Sequence, residues 1–112
     1  MPGCFSSTQL LAASILVFAC ANAVRAQEAD IEHGRALVET NCARCHGIGE
    51  SDRSPHAEAP EFRTLSERYP VDALEEAFAE GIVTGHPDMP EFEATPKQII
   101  DIIAYLASIQ PY

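Results

Sequence analysis

Hydrophobic and polar positions divide the chain into a short apolar leader and a longer segment patterned for helices. From Ile31 onward, apolar or small residues recur at Ile31, Gly34, Leu37 and Val38, the spacing of one helical face, with Asp30 as the N-cap. Residues 47–62 are rich in Gly, Ser, Pro and charge and read as a loop, followed by a short helical turn over Arg63–Tyr69. Pro70-Val-Asp opens a second helix, Ala73 to Glu80, with Leu74, Ala77 and Phe78 on one face and Gly81 as its stop. Gly85-His-Pro-Asp-Met-Pro-Glu-Phe92 carries two prolines too close together for regular helix. The last helix is the best marked, with Thr95 as N-cap, Pro96 at the first position and Gln98 completing a capping box. Its apolar side runs through Ile99, Ile102, Ile103 and Leu106. No stretch alternates as a strand would, so the pattern predicts an all-α domain. The first and last helices each need cover for an apolar face, and the simplest partner for each is the other.

The N-terminal run from Leu10 to Ala21 is too short to cross a bilayer, which takes roughly 20 apolar residues, and suits the core of an export signal. Two small-residue cleavage sites compete, Ala21-Asn22-Ala23 and Val24-Arg25-Ala26, and residues 1–26 are read as the signal, residues 27–112 as the domain. No Lys or Arg precedes the run, which is atypical and leaves an uncleaved anchor open. Val17-Phe18-Ala19-Cys20 resembles a lipoprotein box, an alternative that would tether the protein through a lipidated Cys20. The expected location is the periplasm, soluble or lipid-anchored.

Charge narrows the partners. The chain has 7 Lys and Arg against 17 Asp and Glu, a formal net charge of −10, and removing the leader takes away Arg25 but no acid. Such a surface repels phosphates and disfavours nucleic-acid binding, while favouring encounter with positively charged proteins. A domain this small also needs a staple beyond its own core. Cys4 and Cys20 fall in the leader, and Cys42 and Cys45 are too close in sequence to cross-link a fold. A prosthetic group can do that work.

Cys42-Ala43-Arg44-Cys45-His46 has the spacing of covalent c-type haem attachment. On a helical turn, residues three apart share one side, so both thiols can form thioethers with vinyl groups on neighbouring pyrroles. His46 then projects under the ring toward the iron. Zinc would need four ligands, and the supply is Cys42, Cys45, His46 and at most His56, with no second cysteine pair; a dithiol redox motif expects a strand–helix context. Both stay open on these five residues alone. Once the leader is removed Met89 is the one methionine left, and it lies between Pro87 and Pro90. A lone Met is usually core filling, but here it is a candidate second axial ligand, and His/Met ligation raises the reduction potential. His86 is the competing ligand; His33 is expected to face solvent and His56 to lie in a loop.

With these residues in view, the chain resembles the class I cytochromes c over nearly all of residues 30–109. Gly34 precedes Cys42 at the family's spacing, where it implies a close crossing of the first helix on the last. Val38 replaces the family's larger contact, and Ile102-Ile-Ala-Tyr-Leu106 is similar to its C-terminal pattern, with Ile102 and Tyr105 at the crossing. Ala59-Pro60 resembles the proline whose carbonyl accepts a hydrogen bond from the proximal imidazole, and Met89-Pro90-x-Phe92 the distal loop. The resemblance implies three main helices around one covalent haem c, with Cys42, Cys45, His46, Met89 and Pro60 as its site. It also implies single-electron transfer to redox partners rather than catalysis. The acidic surface and the lack of tryptophan depart from the lysine-ringed members, and the partner of the haem propionates is left unassigned among Tyr69, the arginines and backbone groups. A haem subunit of a larger dehydrogenase or oxidase, and a gas- or peroxide-binding protein with a labile Met, stay as alternatives.

Overall fold

The computed structural model describes residues 27–82 and 86–111. The export-signal and lipoprotein readings, on residues 1–26, lie outside them, as does Gly85 of the distal loop. Three α-helices carry the fold: α1 (Ile31–Cys42), α2 (Leu74–Glu80) and α3 (Pro96–Ser108). Two 3₁₀ segments, Phe62–Glu67 and Val71–Ala73, lie between α1 and α2. The described residues contain no strand, and no helix among them is long and apolar enough to cross a membrane.

Local chemistry sets the helix ends. The Asp30 carboxylate accepts the His33 amide at 2.9 Å, satisfying one of the donors that open α1. At α3 the capping box is complete, with the Gln98 amide on the Thr95 hydroxyl and the Thr95 amide on the Gln98 side chain at 2.9 Å. Gly81 stops α2 at φ +82°, a left-handed conformation that costs glycine little. The predicted turn at Arg63–Tyr69 falls one residue earlier, as 3₁₀, because both Phe62 and Leu65 turn inward. The predicted second helix opens with a 3₁₀ turn after Pro70 and is α-helical only from Leu74.

α1 and α3 cross at Gly34, which is buried. A Cβ at that position would lie 1.9 Å from the Asp101 carbonyl oxygen and 2.4 Å from its carbon, so the two backbones are effectively in contact. Val38, Ile102, Tyr105 and Leu106 close around the crossing and join Phe62, Leu65, Val71, Phe78 and Ile99 in one core. Ile31 departs from its predicted face and is 45% exposed. It lies in the first turn, before the crossing, beside a shallow hollow it shares with Glu28, Asp30 and Lys97.

Asp101 sits at the same crossing with no solvent exposure. Its carboxylate accepts the Asp30 amide at 2.8 Å, the Lys97 ammonium at 2.5 Å and the His33 ring Nδ1 at 2.6 Å. His33, expected to face solvent, is therefore half exposed and bonded across the helices. Burial alone would raise the Asp101 pKa, but Lys97, the Asp30 amide and His33 together hold it well below the usual carboxylate range. A group depressed in the folded state stabilises the fold above its unfolded pKa of about 3.9 and loses that contribution as pH falls. The expected result is that Asp101→Asn unfolds more easily than the wild type at pH 7, and that the gap closes as pH drops below about 4. Unfolding midpoints measured across that range check it, and a gap that stays constant into acid would count against the carboxylate's role.

Candidate haem site

The end of α1 builds the attachment turn. The Cys45 and His46 amides both donate to the Cys42 carbonyl, at 3.1 and 2.9 Å, so the chain wraps one turn and keeps the two sulfurs on one side. Both cysteines are half-buried free thiols. Burial, with Cys45 adding to it, pushes the Cys42 thiol up to about 11, so it is not ionised at neutral pH.

His46 is 9% exposed, and its Nδ1 lies 2.8 Å from the Pro60 carbonyl oxygen. A carbonyl can only accept, so Nδ1 carries the proton and the Nε2 lone pair is left to bind a metal. Phe62 limits rotation of the ring, its centroid 4.6 Å away at an interplanar angle of 33°. The following loop is held by several bonds: Phe62 amide to Gly47 carbonyl at 2.8 Å, Gly47 amide to Ser54 hydroxyl at 2.9 Å, and Ile48 and Gly49 amides to Asp52. Burial opposes ionisation of Asp52, but the Ile48 and Gly49 amides, its own amide and Arg63 together hold its carboxyl below the ordinary range. Tyr105 on α3 donates to the Ile48 carbonyl at 2.7 Å, joining this loop to the helix crossing.

A cavity of about 780 Å³ opens beside the turn, lined by Cys42, Cys45, His46, Pro60 and Met89 together. Its wall is otherwise mainly apolar, with Leu65, Leu74, Phe78, Ile82, Phe92 and Leu106 among its side chains. The volume lies within the range of pockets that enclose a cofactor-sized group. Met89 is half-buried on the far loop, whose base is closed by the Ile82 amide on the Phe92 carbonyl at 3.2 Å and by an edge-on contact of Phe92 with Phe78 at 6.1 Å. Residues 86–92 contain no helix, as their prolines predict. His86, His56, Tyr69 and Arg44 also line the cavity, while His33, Arg63 and Arg68 do not. Arg63 instead pairs with Glu61 and donates to the Asp52 carbonyl at 2.6 Å. Among the described residues no group of three or more His, Cys, Asp or Glu side chains could hold a metal ion, so the zinc alternative has no ligand set there.

A cytochrome c family model matches residues 31–110, the span from the start of α1 to just past α3. The chain belongs to the cytochrome c family. It is 33% identical over 83 residues to cytochrome c-552 of Bradyrhizobium diazoefficiens, covering 74% of this chain and 78% of that protein. A cytochrome c-553-like protein of Synechocystis sp. is 31% identical over 87 residues, covering 77% of this chain and 75% of its own. No solved structure gives a significant match. This cytochrome c therefore has the all-α class I fold, binds haem c covalently and carries electrons between redox partners. The donors fit that group: two thiols on one turn, an imidazole whose Nε2 is left basic, and an apolar cavity beside them.

Sequence reading missed three features of the site. The Phe62–His46 contact joins separate segments of the chain and had no signal, while the Asp52 loop had one in Gly49 and Asp52 three residues apart. The His56–Asp88 contact described below joins loops 32 residues apart and had none.

Proposed function

We propose that residues 27–112 form an exported, periplasmic single-electron carrier whose haem is linked through Cys42 and Cys45 and ligated by His46 and Met89. The observation that carries the reading is that one apolar cavity is lined by His46, with Nε2 left basic, and by Met89 on the opposing loop. When bound, the haem supplies a ferric/ferrous couple that takes up and releases one electron. The chain does the rest. The Pro60 carbonyl orients His46 and raises its basicity as a ligand. The apolar wall keeps water from the group, and a thioether sulfur favours the ferrous state, raising the potential. With His46 and Met89 both holding the iron, no position would be left for a substrate, and the role would be transfer rather than catalysis. The acidic exterior suits partners that present a basic surface.

His86 also lines the cavity, on the same loop as Met89, and is a polar group that would favour a gas- or peroxide-binding reading. Absorption spectroscopy of the haem-loaded protein separates the two. The expected wild-type spectrum is low-spin with the methionine–ferric-iron charge-transfer band. Met89→Ala should lose that band, turn high-spin, and lower the potential by a sizeable part of the roughly 0.8 V that axial ligands command. Persistence of the band in the variant removes Met89 from the iron, and a high-spin wild type favours the small-molecule reading.

A further inference from the structure

His56 and Asp88 bring the two sides of the haem cavity into contact. The His56 amide donates to the Cys45 carbonyl at 3.1 Å, so its backbone is fastened to the attachment turn. Its ring Nδ1 receives the Glu58 amide at 3.3 Å. An amide only donates, so Nδ1 holds the lone pair and the ring proton sits on Nε2. Nε2 in turn lies 3.3 Å from Oδ2 of Asp88, the residue before Met89. The bond therefore forms with a neutral imidazole and a carboxylate, and asks for no protonated histidine. On the Asp88 side, the Met89 amide donates to the His86 carbonyl at 3.1 Å, making a tight turn of residues 86–89. The turn thus sets Asp88 directly beside Met89. Both His56 and Asp88 line the cavity, His56 half-buried and Asp88 exposed, which places the contact at the rim.

We propose that His56 and Asp88 form a clasp that holds the Met89 turn closed over the haem cavity and limits displacement of Met89 from the iron by external ligands. The inference rests on the His46/Met89 reading above. The base of the distal loop is closed by the Ile82 amide on Phe92 and by Phe92 against Phe78, and at its tip Asp88 is held by His56. Both groups act through Met89 and neither touches the metal, which makes them positioning residues. A rim contact of this kind contributes little to global stability, but opening the tip must break it each time.

The test is titration of the ferric, haem-loaded full chain with imidazole, following loss of the methionine–iron band. His56→Ala and Asp88→Ala should each bind imidazole more tightly, by up to about fivefold, the ceiling set by an exposed charged contact. Because the two side chains serve one contact, the double variant should gain no more than either single. Thermal midpoints should hardly move, which separates a clasp from general loosening. Unchanged affinities, or gains that multiply in the double variant, overturn the clasp while a wild-type methionine band leaves the ligand assignment intact. Absence of that band in the wild type overturns both.

Discussion

Replacing Cys42 and Cys45 together with alanine is expected to give a chain that retains no haem after denaturation and does not hold the native helical content. Each thioether forms by adding a sulfur–hydrogen bond across a vinyl double bond, so removing both sulfurs removes both links, whereas either single variant keeps one. The effect on folding follows from size. Among the described residues the core has nine buried hydrophobic side chains, arranged beside a cavity of about 780 Å³. Keeping even a third of that volume dry and empty would cost roughly 6 kcal/mol at about 24 cal/mol per Å³. Whole domains are stable by only about 5–15 kcal/mol, so the cavity must fill, flood or collapse. Flooding puts water against Leu65, Phe78 and Leu106, and collapse pulls α2 and the Met89 turn away from their places. Haem staining of a denaturing gel and far-ultraviolet circular dichroism check the two halves separately. Stain in the double variant would show attachment elsewhere, and native helicity without haem would show that the polypeptide core suffices.

What the sequence made legible was local. The attachment motif, the Asp30 cap and the Thr95–Gln98 box each depend on residues within a turn of one another, and each forms as their spacing predicts. The crossing at Gly34 was readable only through the family resemblance, and the Asp101 backbone lies directly against it. Asp101 itself was not readable. In α3 it stands beside Ile102 and Ile99, where an acid is by default assigned to the solvent face. Its Asp30 and His33 partners are 71 and 68 residues away, and only Lys97 one turn earlier offered a hint. Phe62 was read as the end of a loop because its reason for turning inward, the ring of His46, is distant in sequence. Pro60 was available only through family resemblance, since a carbonyl acceptor leaves no mark in residue type. Placement of the site thus came from short-range pattern. The polar contacts that orient it came from chain segments that meet only once the helices have crossed.

The second large effect concerns that crossing. Gly34→Ala is expected to lower stability by about 3 kcal/mol or more, despite removing a glycine from a helix interior. Two effects oppose one another. Alanine favours helix over glycine by about 1 kcal/mol, and a helix in isolation would gain that amount. Against it, the new methyl would sit 1.9 Å from the Asp101 carbonyl oxygen, which is backbone of the opposite helix and cannot turn aside. The axes must part by more than an ångström to restore contact distance, which loosens Val38 against Ile102, Tyr105 and Leu106 and draws the Asp101 carboxylate away from the Asp30 amide. For a domain of this size, about 3 kcal/mol lowers the unfolding midpoint by more than about 10 °C. Gly49→Ala is the control. There the added carbon would lie 2.6 Å from Asp52 Oδ1, the end of an exposed side chain that can shift, weakening its bonds to the Ile48 and Gly49 amides, rather than backbone of another helix. Its expected cost is under about 1 kcal/mol. Thermal unfolding of the haem-loaded variants decides the matter: a Gly34→Ala midpoint equal to the wild type, or no lower than that of Gly49→Ala, would mean the helices are not held in backbone contact.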